Sequence, residues 1–182
     1  AYLARNLRTV LEQGEAAGAL GDREDFRALL ARLAELADVI TPNLTEAALL
    51  LGQPYETLPA GEAGLREITE RLSLGGRRSV VLTGASLAPG RTGAVCFDAR
   101  TGKTEAVQTA YVAHEFHGTG DVFSSVLTGA LVRGESLSSA AGEAAAFVRA
   151  CAERTAAEDL PMREGVDFEP LLGLLIPGKE TV

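Results

Sequence analysis

The chain has 182 residues, 46% hydrophobic and 23% charged, which suits one or at most two domains with a real core and excludes a disordered segment. The formal net charge of -8, with no basic stripe, argues against a nucleic-acid partner; an anionic ligand is expected to be held locally, by backbone N–H groups and metal ions. No apolar run approaches the ~20 residues of a membrane span, so no membrane partner is expected.

The first 24 residues carry the least pattern: 1–11 reads as a helix, and 13–22, with three glycines, as a loop. From 25 onward the chain reads as one domain, 25–182. Over 25–37 the residues Phe26, Leu29, Leu30, Leu33 and Leu36 share one helical face. Ala37-Asp38-Val39-Ile40-Thr41 reads as a short strand stopped by Pro42, and a helix over 45–51 ends at Gly52. Leu65, Ile68 and Leu72 mark an amphipathic helix closed by Gly75-Gly76. Arg77 and Arg78 adjoin before the next strand and read as a solvated edge. Ser79-Val80-Val81-Leu82-Thr83 is a buried-strand pattern ended by Gly84. Segments 93–98 and 103–110 read as two strands about the turn Ala99-Arg100-Thr101-Gly102. A helix over 120–132 ends at Gly134; a long alanine-rich helix covers 137–155 and a short one 168–175. Alternation of strand and helix with an inserted antiparallel hairpin predicts an α/β fold with a largely parallel sheet flanked by helices. Cys96 and Cys151 are far apart, lie in apolar runs and read as buried free thiols, which favours a reducing, cytoplasmic compartment.

Three segments are candidates for chemistry. In Gly118-Thr119-Gly120-Asp121, two glycines let the backbone approach a ligand closely. The helix start that follows presents unpaired N–H groups and the positive end of the helix dipole, which suits a phosphate under transfer. Asp121 would sit beside that anion, able to accept a proton from an attacking hydroxyl. The structural alternative is a plain turn with Asp121 as a helix cap. The segment is neither a P-loop nor a full G-x-G-x-x-G fingerprint. In Thr41-Pro42-Asn43-Leu44-Thr45-Glu46, Asn43 and Glu46 have the spacing of a capping box. Alternatively they stand at a strand's C-terminal end, where open α/β sheets bind ligands, and order Mg²⁺-bound water around phosphates. Thr83-Gly84 is either a plain strand end or a second edge of the same site. His114 and His117 flank Phe116 and read as solvated loop residues, with no cysteine near to complete a metal pair. Ser124 and Ser125 lie inside the helix without a nucleophile-elbow pattern, so no Ser/His/Asp triad is argued.

In combination, DVITPNLTEAALLLG, VVLTG and HGTGDVFSSVLTGALVRGESLSSAA resemble, in order and spacing, the C-terminal half of the ribokinase-like superfamily, over about residues 25–175. FHGTGDVFSSVLTGAL and REGVDFEPLL (163–172) look most like pyridoxal or pyridoxamine kinases. Hydroxymethylpyrimidine kinases share the Thr-Pro-Asn segment but commonly carry cysteine where Asp121 stands; sugar kinases share Gly-x-Gly-Asp.

The resemblance implies a ribokinase-like fold and phosphoryl transfer from ATP, with Mg²⁺, to the 5′-hydroxymethyl group of pyridoxal or a related vitamer. It makes Asp121 the catalytic base and Gly118, Thr119 and Gly120 the anion hole. It associates Asn43 and Glu46 with Mg²⁺ through water, and places Thr83 and Gly84 near the nucleotide. The adenine is expected between the hairpin region and the long C-terminal helix. A homodimer is compatible with it. An intact member has more strands before the Thr-Pro-Asn segment, and they supply most of the vitamin pocket and its flap. No strand is read before residue 37, so the N-terminal part is expected to be missing or shortened, with Gly21-Asp22 a candidate remnant of a family loop. No substrate-pocket residue is assigned. A rival reading is a kinase-derived binding module without catalysis.

Overall fold

The computed structural model describes residues 34–113, 116–158 and 165–176. The helix expected over 25–37 lies outside them except for its end, where Ala34 and Glu35 are helical; the readings over 1–24, the Gly21-Asp22 loop among them, lie outside them as well.

One inner strand is the most buried of the described sheet. Strand β2 (Ser79–Thr83) is buried along its length except at Thr83. Side chains alternate across a strand, so Val80 and Leu82 face one way and Val81 the other. Its neighbours are β1 (Val39–Ile40), parallel to it with Val39 opposite Ser79 and Ile40 opposite Val80, and β3 (Arg91–Asp98), antiparallel to it. Strand β4 (Lys103–Ala110) pairs with β3 over its full length and closes the order β1-β2-β3-β4. The hairpin expected after β2 is therefore present, with Gly102 in the left-handed region at φ 68°. The described sheet is mixed, with one parallel and two antiparallel pairings rather than largely parallel ones, because the hairpin supplies β3 and β4.

Two helical layers cover the sheet. On the Val80/Leu82 face lie α1 (Leu44–Leu51) and α2 (Gly61–Leu72), which bury Ala47, Leu65, Ile68 and Leu72. On the Val81 face lie α3 (Thr119–Val132) and α4 (Leu137–Ala157). Helix α4 buries Ala140, Ala141, Ala144 and Ala145; such small side chains let its backbone lie close to α3 and the sheet. The last segment, expected as a short helix over 168–175, is a 3-10 helix over Glu169–Leu175. Among the described residues no helix is long and apolar enough to cross a membrane.

Arg78 departs from the solvated edge that the sequence suggests. Its neighbour Arg77 is exposed, but Arg78 is only 5% exposed. Its Nε donates to the Leu72 carbonyl at 2.7 Å and its Nη1 to the Ala34 carbonyl. A helix end leaves carbonyls without intrahelical partners, and a buried guanidinium satisfies one of them here while gripping a second segment. Desolvation holds the Arg78 guanidinium below its usual range, offset in part by Glu35.

Both cysteines are free and buried, as their apolar surroundings suggested. Burial pushes the Cys96 thiol up to about 12 and the Cys151 thiol up to about 11. A thiolate is the reactive form, so neither is expected to react with Ellman's reagent at pH 8 until the chain is unfolded; rapid labelling of the native protein would contradict this burial. Arg78→Met keeps the apolar stem but takes the guanidinium from the Leu72 carbonyl and breaks the tie to Ala34, whose carbonyl keeps the Ala37 N–H. It is expected to lower unfolding free energy by about 2–3 kcal/mol in urea denaturation, whereas a surface arginine would leave it nearly unchanged.

Candidate functional site

The C-terminal ends of β1 and β2 lie side by side, and the chain leaves each through one of the segments singled out above. Thr83 donates its N–H to the Pro42 carbonyl at 2.8 Å, and its hydroxyl approaches the same oxygen at 3.3 Å. Asn43, beyond the end of β1, and Thr83, the last residue of β2, form an isolated parallel bridge. Parallel pairing thus continues past Pro42, which has no N–H to give but accepts on its carbonyl. Thr83-Gly84 and Asn43-Glu46 consequently share one edge of the sheet.

The third segment is tied to that edge by hydroxyl groups. Ser124, on the second turn of α3, donates its hydroxyl to the Gly120 carbonyl at 2.8 Å. Its oxygen lies 3.1 Å from the Thr41 hydroxyl. With the Ser124 proton committed to Gly120, Thr41 is the donor of that pair. Ser124 is 4% exposed, so this contact between the end of β1 and the start of α3 is sheltered from water.

Gly118 is the N-cap of α3, in the left-handed region at φ 82°, a conformation that costs glycine little. Its carbonyl accepts the Val122 N–H at 3.0 Å and starts the helix. Gly118 has no side chain to cover the N–H groups of the first turn, which the helix itself leaves unused. Asp121 stands in that first turn, half-buried. It is not the helix cap that the structural alternative supposed, because the cap position belongs to Gly118.

Asn43 and Glu46 do form a capping box. Asn43 Oδ1 accepts the Glu46 N–H and Glu46 Oε2 accepts the Asn43 N–H, both at 2.9 Å. The box sets the first turn of α1 at the sheet edge and leaves both groups as oxygen donors there. Such a donor set suits a hard divalent cation held through water, since each side chain already serves a backbone N–H. Among the described residues no three His, Cys, Asp or Glu side chains gather into a direct metal site.

An open cleft of about 510 Å³ adjoins the start of α3. His117, Gly118 and Asp121 form one end, Val126, Phe147 and Leu172 an apolar wall. Arg133, paired with Glu143 at 2.5 Å and Glu135 at 3.1 Å, borders it. Thr83, Gly84, Asn43 and Glu46 do not line it, so the cleft meets the strand-end edge only through the Gly118–Asp121 turn. His117 is an exposed loop residue, as expected; His114 lies outside the described residues. Sequence reasoning missed Thr41 and the structural use of Ser124. The signal was present, in a hydroxyl directly after the strand and another four residues beyond Gly120.

Residues 12–165 match a family model described as phosphomethylpyrimidine kinase. A pyridoxine/pyridoxal/pyridoxamine kinase of Bordetella bronchiseptica is 36% identical over 129 residues, covering 68% of this chain and 42% of that protein. A Bacteroides thetaiotaomicron protein provisionally named a phosphomethylpyrimidine kinase, crystallised with pyridoxal, superposes with a TM-score of 0.77 at 31% identity, over 85% of this chain and 55% of that one. The ADP complex of Bacillus subtilis pyridoxal kinase superposes with a TM-score of 0.60 at 28% identity, over 72% and 50%. The chain thus spans about half the length of the relatives it matches.

Asn43→Ala removes one half of the capping box and is expected to cost about 1 kcal/mol of stability, while Asn43→Asp keeps an acceptor and costs little. Urea denaturation of the two variants checks this; no loss in Asn43→Ala would show that the box contributes nothing.

Proposed function

The chain belongs to the phosphomethylpyrimidine kinase family, within the ribokinase-like superfamily, and from that premise we propose that it serves ATP-dependent phosphorylation of the 5′-hydroxymethyl group of pyridoxal or a close vitamer. The observation that carries this reading is the meeting of Gly118–Asp121 with the ends of β1 and β2, through the Thr41–Ser124 and Asn43–Thr83 contacts.

Such a site works by positioning and charge stabilisation. The alcohol oxygen of the acceptor bonds to the γ-phosphorus as the bond from phosphorus to the bridging oxygen of ADP breaks. Asp121 accepts the alcohol proton. The N–H groups of Gly118, Thr119 and Gly120 face the developing negative charge, where a helix start is most favourable to an anion. Thr83 and Gly84 bound the nucleotide at the end of β2, and the adenine is placed between the hairpin and α4. Asn43 and Glu46 would hold Mg²⁺ through water, and bound Mg²⁺ supplies neutralisation of phosphate charge.

Pyridoxal as acceptor is supported by the Bacteroides thetaiotaomicron complex and by the name of the Bordetella bronchiseptica relative. The description of the matching family supports a second reading, in which a hydroxymethylpyrimidine is the acceptor. The chemistry at phosphorus is the same in both, so the acceptor assay separates them.

Asp121→Asn tests the assignment of the base. Gly118 holds the cap position, so folding and ATP affinity are expected to survive the substitution. Turnover should fall by roughly 10²–10⁴-fold, the usual worth of a positioned general base. The measurement is kcat with pyridoxal, hydroxymethylpyrimidine and ribose as acceptors, beside calorimetric titration with MgATP. A variant within a few-fold of the active parent removes Asp121 from the chemistry. A folded parent that binds no nucleotide and phosphorylates none of the three removes the kinase reading.

A further inference from the structure

The carbonyl of His117, directly before the Gly118 cap, is held by a segment far away in sequence. Val166 donates its N–H to the His117 oxygen at 3.1 Å. Gly165, at φ +83°, passes so close that a Cβ there would stand 3.2 Å from the same oxygen. Val166 is 7% exposed and belongs to the core cluster of Phe123 and Phe147, so this bond forms at the wall of the core.

Val166 is anchored by its neighbour. Asp167 is held to the last turns of α4 twice, by two consecutive residues. Its N–H donates to the Thr155 hydroxyl oxygen at 2.9 Å, and its Oδ2 accepts Arg154 Nε at 2.9 Å. Thr155 is itself 1% exposed and gives its hydroxyl proton to the Cys151 carbonyl at 2.8 Å, which leaves its oxygen pointed as an acceptor. The bond to Asp167 also raises the Arg154 guanidinium above its usual range.

The peptide unit joining His117 to Gly118 is planar and trans, so its C=O and N–H point in opposite directions. Fixing the His117 carbonyl on Val166 therefore fixes the direction of the Gly118 N–H, aiming it away from the C-terminal segment. We propose that Asp167, Arg154 and Thr155 are positioning residues: acting through Val166 and His117, they set the orientation of the Gly118 N–H at the start of α3. They do not take part in the chemistry themselves. The kinetic consequence rests on the kinase reading above; the mechanical one does not.

A merely structural latch would lower the melting temperature without loosening the Gly118 turn selectively. A positioning cluster has a local signature. Amide hydrogen exchange of the full chain, read over the Gly118–Asp121 turn and over β2 as reference, separates the two. In Asp167→Ala the turn is expected to exchange roughly tenfold faster, with β2 unchanged, since the charged hydrogen bond to Arg154 is lost and only the backbone bond to Thr155 remains. Arg154→Gln should loosen the turn in the same direction. Asp167→Asn keeps an acceptor oxygen and should restore most of the protection. Glu158→Gln removes the other ion pair of Arg154, at 2.5 Å, and should leave the turn as it is.

In the phosphorylation assay, Asp167→Ala should lower kcat by roughly tenfold with KM for the acceptor little changed, the split expected for a donor that acts in the transition state. Should Asp167→Ala fail to fold, Arg154→Gln decides, because its side chain is partly exposed on α4. Turn exchange at the parent rate in folded Arg154→Gln, or equal loosening in Glu158→Gln, overturns the proposal. A turn loosened in Asp167→Ala and Arg154→Gln, with a folded parent that binds no nucleotide, would uphold the clamp and sink the kinase reading instead.

Discussion

The burial of β2 on both faces is the constraint on which the rest of the structure depends. A strand between two helical layers has no solvent side, so each side chain must be apolar or, like Ser79, hydrogen-bonded, and each must find its own layer. Val80 and Leu82 meet α1 and α2, and Val81 meets α3 and α4. The strand cannot slip by one residue without exchanging these faces. Its end, Thr83, is thereby a fixed point, and the polar residues that follow are placed relative to it.

From that point the site is assembled by short polar contacts. Thr83 holds Pro42, the Pro42 segment carries the capping box of α1, and Thr41 reaches Ser124 on α3. Hydroxyl groups inside a helix often return to a carbonyl one turn back, and Ser124, Ser125 and Thr128 all do so here. Ser124 adds a partner from the end of β1. Helix α3 is thus registered against the sheet by a polar contact as well as by Phe123 and Leu127 in the core. The sheet edge, the helix start and the cleft then meet at one turn, Gly118–Asp121, the only part of the strand-end site that also lines the cleft among the described residues.

Much of this architecture was legible in the residues. The apolar run in 79–83, the turn at Gly102 and the apolar stripe Leu65, Ile68 and Leu72 are local patterns, and local patterns carry their own geometry. The capping box at Asn43 and Glu46 was legible for the same reason, since both partners lie within one turn of helix. Arg78 was not. Its neighbours in sequence suggest an exposed pair, and its burial follows from the carbonyls at Leu72 and Ala34, which the fold brings to it. The cap reading of Asp121 failed because the helix begins earlier, at Thr119, which moves the cap to Gly118.

By itself the sequence determined the kind of elements, their order, the buried faces and the three segments in which phosphate chemistry was sought. Each depends on periodicities of two or 3.6 residues, or on residues within a turn of one another. Tertiary structure alone decided that Thr41 meets Ser124, that the described sheet is mixed, and that Val166 holds the carbonyl before Gly118. Those contacts join residues tens of positions apart, and Arg154 and Asp167 are brought together only by the return of the chain along α4. No local pattern encodes such a pairing. It arises when two apolar faces, each readable alone, are forced to share one core.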